Sequence, residues 1–206
     1  MSAKRFAVAW IFLALGVQQG TGEIIRINFQ PSEAAIPAGY LPDSGDAYGD
    51  RGNGYSYGWV DSATGAPAGN DETRDRNQVA DQRYDTLNHM LKNDTPHPWE
   101  IELPNGVYDL WIVCGDSQHR DQTNDLWVEG VSVLDPTPYD GTGNTPGDWD
   151  EYYVQGIEVA DGRLTIAPQN VAGNNAKIAF LVIPEPATLG LLALGALGLI
   201  RRRRNE

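Results

Sequence analysis

Residues 99–114 read WEIELPNGVYDLWIVC. Trp99-Glu100-Ile101-Glu102-Leu103 alternates apolar and polar at period two, as a half-buried strand does, and Val107 to Cys114 is a second run rich in β-branched and aromatic residues. Pro104-Asn105-Gly106 stands between them, and an Asn-Gly pair flanked by two such runs predicts a β-hairpin. Outward from this pair the pattern repeats. Ile24 to Phe29 reads as a first strand. Further strands are expected at Leu126 to Val128, Val131 to Leu134, Tyr152 to Val159, Arg163 to Ala167 and Lys177 to Ile183, with another around Arg83 to Met90. Asp161-Gly162 predicts a second hairpin turn. Helical spacing is rare and the apolar runs are short, so the chain reads as all-β, with about eight or nine antiparallel strands in two packed sheets. Pro31 to Gln82 differs: it is rich in Gly, Asp, Asn and Tyr, and reads as a long loop, functional or disordered.

The two ends carry targeting signals. Lys4 and Arg5 precede the apolar run Phe6 to Val17, and Gly20-Thr21-Gly22 supplies small residues for cleavage, so residues 1–22 read as a signal peptide, with an uncleaved anchor as the alternative. At the other end Pro184-Glu185-Pro186 leads into the uncharged stretch Ala187 to Ile200 and then Arg201, Arg202, Arg203 and Arg204. An arginine cluster resists passage through hydrocarbon, which would hold this tail in the inner membrane as a transient transmembrane helix with its C-terminus inside. Residues 184–206 closely resemble the PEP-CTERM sorting signal. The resemblance implies an exosortase-type membrane protease as partner, removal of the tail, and delivery to the cell surface or extracellular matrix.

Between these ends, residues 23–183 form one domain's length. Of the 15 basic and 28 acidic residues in the chain, 9 and 26 fall in this stretch, a net charge of −17 that argues against nucleic acid as a partner. Cys114 is alone, so no internal disulfide forms, and its strand context reads as core. Three histidines at His89, His97 and His119 offer no zinc spacing, and there is no nucleophile elbow or phosphate loop.

The order of the interior pieces resembles malectin-like and galactose-binding-like carbohydrate modules. The pieces are Asn28-Phe29, a Tyr/Gly-rich loop, Leu103-Pro104-Asn105-Gly106-Val107-Tyr108, Gly115-Asp116, Val128-Glu129-Gly130-Val131 and Ala160-Asp161-Gly162-Arg163. This resemblance implies a jelly-roll β-sandwich that holds polysaccharide on aromatic and polar loop residues. Sugar C–H faces stack on aromatic rings while planar polar groups take the hydroxyls. On that chemistry the candidate carbohydrate-binding residues are Tyr48, Tyr55, Tyr57, Trp59, Arg83 and Asp116. Tyr55, Tyr57 and Trp59 would share one face of a strand, either exposed as a platform or packed on the sandwich. Arg83, Asp85 and His89 would likewise share a face. The polar run Gly115 to Asp125 offers Asp116, Asp121 and Asp125 as oxygen ligands for a structural Ca2+, with a solvated loop as the alternative.

The expected function is a non-catalytic, surface-sorted carbohydrate-binding module. The rivals are a structural matrix protein and a polysaccharide-acting hydrolase or lyase, since two carboxylates suffice for glycoside hydrolysis. If Arg201 to Arg204 hold the tail inside, deleting them leaves the tail unprocessed or releases the protein, read by cell fractionation and the mass of the mature chain.

Overall fold

A computed structural model describes residues 24–140, 148–170 and 174–184. The expected signal peptide at residues 1–22, and the sorting tail beyond Pro184, lie outside the described residues. In chain order the strands are β1 (Ile25–Phe29), β2 (Leu41–Asp43), β3 (Gly49–Asp50), β4 (Ser56–Trp59) and β5 (Thr73–Asp75). The helical turn α1 (Gln82–Asp85) then leads to β6 (Thr86–His89), β7 (Leu91–Lys92), β8 (Thr95–Pro96), β9 (Trp99–Glu102) and β10 (Gly106–Asp116). Last come β11 (Leu126–Val128), β12 (Val131–Val133), β13 (Asp148–Val159), β14 (Arg163–Pro168) and β15 (Lys177–Ile183).

One sheet runs β13-β10-β15-β1-β2, with β6 pairing β15 beyond the end of β1 and β5 pairing β6. The other runs β12-β11-β14-β9-β4-β3. Ile27, Phe29, Ile112, Cys114 and Leu181 from the first sheet meet Trp59, Trp99, Ile101, Leu164 and Ile166 from the second in one buried cluster, which makes the two sheets a β-sandwich. The expected all-β class is the observed one, and Cys114 is a free, fully buried core residue. Among the named strands, pairing is antiparallel apart from β1 with β2, and an isolated bridge from Ala47 to Trp59 is also parallel.

Three local expectations differ from the structure. Asn105-Gly106 and Asp161-Gly162 do not close hairpins. β9 and β14 pair in one sheet and β10 and β13 in the other, so both turns are corners at which a two-stranded ribbon crosses between sheets. The corners are tied together by Asn105 Nδ2 donating to the Ala160 carbonyl at 2.7 Å and by Leu103 N–H donating to the Gly162 carbonyl at 3.0 Å. Second, Arg83 and Asp85 are not strand residues. Asp81 caps α1 by accepting the Arg83 N–H, which starts a helical turn where a strand was expected, and β6 begins only at Thr86.

Third, the segment 31–82 is not one open loop but contributes β2 to β5. Its anchor is Asp43, buried at the end of β2. The Trp59 indole N–H donates to Oδ1 at 2.7 Å, the Trp99 indole N–H to Oδ2 at 2.8 Å, and the Gly45 N–H to Oδ1 at 3.0 Å. Burial raises the Asp43 pKa, and these three donors oppose the rise. Gly45 sits at φ +88°, and a Cβ there would lie 2.0 Å from the Asn70 carbonyl, so the close approach requires glycine. Phe29 packs edge-on against both indoles, with centroids 5.9 and 5.4 Å away.

Trp59 is therefore core, and Trp59→Ala costs about 3–5 kcal/mol of stability. Asp43→Ala leaves two buried indole N–H groups unpaired, at about 1–3 kcal/mol each. Both losses appear as lowered melting temperatures, and a wild-type melt for either variant would contradict the clamp.

Candidate functional site

β10 and β15 are apolar on both faces. In β10, Leu110, Ile112 and Cys114 point into the sandwich, whereas Trp111 and Val113 point outward. Every residue of β15 is buried, with Phe180 and Val182 on the outer side. A strand apolar on both sides needs cover on both. Here the outer cover is aromatic. Tyr84 from α1, Tyr40 from the segment before β2, and Trp111 all meet the Phe180 ring edge-on at 5.1 to 5.9 Å. Trp149 of β13 meets Tyr84 edge-on at 5.5 Å, and its indole N–H donates to the Tyr84 carbonyl at 3.1 Å.

The layer opens to solvent at its β13 side. Tyr153, the cross-strand partner of Trp111, is 70% exposed and lies nearly parallel to the Trp111 ring, with 8° between planes and 5.8 Å between centroids. Glu151 stands between two tyrosines: the Tyr84 hydroxyl donates to Oε1 at 3.1 Å and the Tyr153 hydroxyl to Oε2 at 3.3 Å. Burial, reinforced by the Glu151 charge, pushes the Tyr84 phenol up to about 12, so it remains a donor. Across the layer the Arg83 guanidinium lies 5.4 Å from the Phe180 centroid and 5.5 Å from that of Tyr84, held by a paired contact to Asp81. One face thus combines half-buried rings, one exposed ring, a carboxylate and a guanidinium.

A second polar region lies where Asp116 ends β10. Asp116 is fully buried and accepts both Arg76 Nε at 3.0 Å and Nη2 at 2.6 Å, with Lys177 Nζ 3.5 Å away. Burial pushes its pKa up, but the Arg76 pair, the Gln118 N–H and Lys177 outweigh this and hold it below the usual range. Lys177, 1% exposed, also pairs with Asp121 at 2.5 Å and donates to Gln122 at 3.1 Å.

Of the residues expected from sequence to bind sugar, Arg83 alone belongs to the aromatic face. Tyr57 and Trp59 are buried in the core, so they form no platform; β4 presents them inward to meet Asp43 and Trp99. Tyr48 lies under the Arg163 guanidinium at 4.2 Å, and Tyr55 lines a separate cleft with Leu103 and Pro104. Asp116 is locked in its ion pair. The three carboxylates expected to ligate calcium have other partners in this structure. Asp116 and Asp121 share the Lys177 ammonium, and Asp125 accepts the Asp135 N–H at 2.8 Å. No group of three candidate metal ligands occurs among the described residues.

Sequence reasoning missed Tyr40, Tyr84, Trp111, Trp149 and Tyr153 as a cluster. Two signals were present: the two-sided apolar run 110–114, and Trp149-Glu151-Tyr153 alternating on one side of β13.

Residues 182–204 match the PEP-CTERM protein-sorting motif. The motif marks the protein for export and exosortase-mediated sorting to the cell surface. No curated protein matches the chain. Among solved structures, the YXIM protein of Bacillus subtilis is 22% identical over 79% of this chain at a TM-score of 0.50, and the chain spans 40% of that protein. This likeness shows the fold alone. An exo-beta-1,3-galactanase from Phanerochaete chrysosporium with beta-1,3-galactotriose aligns at 16% identity and a TM-score of 0.31, covering 62% of this chain and 32% of the galactanase. TmCBM61 in complex with beta-1,4-galactotriose aligns at 14% identity and a TM-score of 0.26, covering 63% of this chain and 84% of TmCBM61. Neither alignment is close enough to carry an argument.

The second region also sets a pH response. His89, 5% exposed, donates Nδ1–H to the Glu72 carbonyl at 3.0 Å. Burial, then the charges of Lys177, Lys92 and Arg74, lower its pKa from 6.5 to about 4. The unfolded chain therefore takes up this proton first, and stability falls as pH drops from about 6.5 toward about 4, by on the order of 3 kcal/mol. Asp150, raised by burial to about 6, works the other way, losing stability as pH rises through that value. Comparing wild type with His89→Gln isolates the histidine: the difference in melting temperature between the two shifts in favour of the variant on acidification across this window. A constant difference would exclude the effect.

Proposed function

We propose that this exported protein is a non-catalytic carbohydrate-binding module whose binding face is the aromatic layer on the outer side of β10, β13 and β15. The observation that carries the reading is Tyr153, an exposed ring backed by Trp111 and flanked by Glu151. Pyranose rings offer C–H faces and a girdle of hydroxyls, which an aromatic face and an adjacent carboxylate satisfy together. Sorting to the surface brings this face to where extracellular polysaccharide is found.

Binding is favoured over hydrolysis by where the carboxyl groups of raised pKa lie: Asp43 is clamped in the core, Glu129 accepts the Thr165 N–H of the other sheet, and Asp150 is turned away from this face. A hydrolase needs a carboxylic acid of raised pKa beside its ligand. Asp150, pushed up to about 6 chiefly by burial, is on the opposite side of β13 from Glu151 and Tyr153, and faces Asn124 and Thr137.

Tyr153→Ala weakens retention of the protein in polysaccharide-containing gels by about 0.5–1.5 kcal/mol while leaving the melt unchanged, because the ring is exposed. Glu151→Gln weakens it as well. Unchanged retention in both variants, or a wild type that no polysaccharide in a broad panel retards, would overturn the proposal, and reducing sugar released from a retained polymer would replace it with hydrolysis.

A further inference from the structure

At the end of the sandwich where β15 begins there is an open cavity of about 440 Å³, within the range of small-ligand sites. Its lining concentrates basic side chains that are scarce elsewhere in the chain. Residues 23–183 carry only nine lysines and arginines, and four of them, Arg74, Arg76, Lys92 and Lys177, line this one cavity with two carboxylates, Asp94 and Asp121, while Glu72 and Asp116 pair with the cations from beside it. Lys177, Lys92 and Arg74 all stand close enough to His89 to add to the effect of burial on its pKa. Among the described residues no tyrosine, tryptophan or phenylalanine lines it, so a ligand there is held by charge and hydrogen bonds rather than by stacking.

The cations are positioned but not used up. Glu72 accepts Arg74 Nη2 and Lys92 Nζ, both at 2.7 Å, and so fixes the two heads side by side. Lys92 spends one of its three donors on that contact, and Arg74 spends its second terminal nitrogen on the Thr73 carbonyl at 2.6 Å. Asp116 and Asp121 hold Arg76 and Lys177 in the floor. His89, with its proton on Nδ1 toward the Glu72 carbonyl, keeps Nε2 as a neutral acceptor in the wall, and Asn93 and Asn174 supply amides.

We infer that this cavity binds an acidic sugar, the carboxylate of a uronic acid residue meeting Arg74 and Lys92 and its hydroxyls meeting His89 and the asparagines. Guanidinium and ammonium groups suit a carboxylate, and acceptors beside them suit hydroxyls, which inorganic anions lack. The site is separate from the aromatic face and does not depend on it.

Isothermal titration of the whole protein with glucuronate and galacturonate tests this, beside glucose, galactose and inorganic sulfate. Binding of a uronate, weakened by added salt and at least tenfold stronger than that of its neutral counterpart, is the expected result. Lys92→Ala, which leaves Glu72 still paired with Arg74, reduces uronate affinity about tenfold or more. Tyr153→Ala leaves it unchanged, so failure here and failure of the aromatic face are told apart. Should Lys92→Ala unfold, Lys92→Gln takes its place, and the wild-type comparison of uronate with neutral sugar stands without either. Equal affinity for neutral sugars, binding of sulfate as strong as that of the uronates, or no uronate binding would each overturn the inference.

Discussion

A single buried carboxylate organises the sandwich. Asp43 has no cation in direct contact, and a charge so placed is tolerated only when donors fill its lone pairs. The two indoles and one backbone N–H do so, and they come from β4, β9 and the turn after β2. Because the carboxylate is costly to bury and the indole donors are costly to strand, the three elements are fixed together or not at all. β2 then adds in parallel to β1, β4 joins β9, and a long stretch of Gly, Asp, Asn and Tyr becomes ordered wall rather than open loop.

That dependence explains what could be read in the sequence. Strands such as 99–102, 126–128 and 177–183 announce themselves by local period and β-branched composition. The clamp does not, because its partners lie 16 and 56 residues from Asp43 and nothing near Trp59 marks its indole as already engaged. Tyr57 and Trp59 therefore looked as suitable for a platform as for a core. Asn105-Gly106 reports that the chain reverses, but not which sheet the next strand joins. Only the pairing of β10 with β13 and of β9 with β14 shows that the reversal is a corner.

The candidate sites divide along the same line. The aromatic face was partly legible, since an unbroken apolar run implies two covered sides, yet Tyr40 and Tyr84 reach it from remote segments with no periodicity of their own. The basic cavity was illegible, because its cations come from β5, β7, β15 and the residues around them. Of its wall, sequence marked His89 and the polar run after Gly115, where carboxylates suggested a metal; the structure places lysine and arginine against those carboxylates.

β15 has one more consequence. Its first residue, Lys177, lines the basic cavity, and its last, Ile183, pairs with Ile25 where the chain enters the sandwich. The sorting motif begins at residue 182, inside this strand, so no spacer separates the folded domain from the signal. Six residue steps of extended chain set the two ends about 20 Å apart. Any pull on the chain at residue 183 is therefore borne by a core strand hydrogen-bonded to β1, β10 and β6 at once, the same strand that carries Lys177 into the cavity wall.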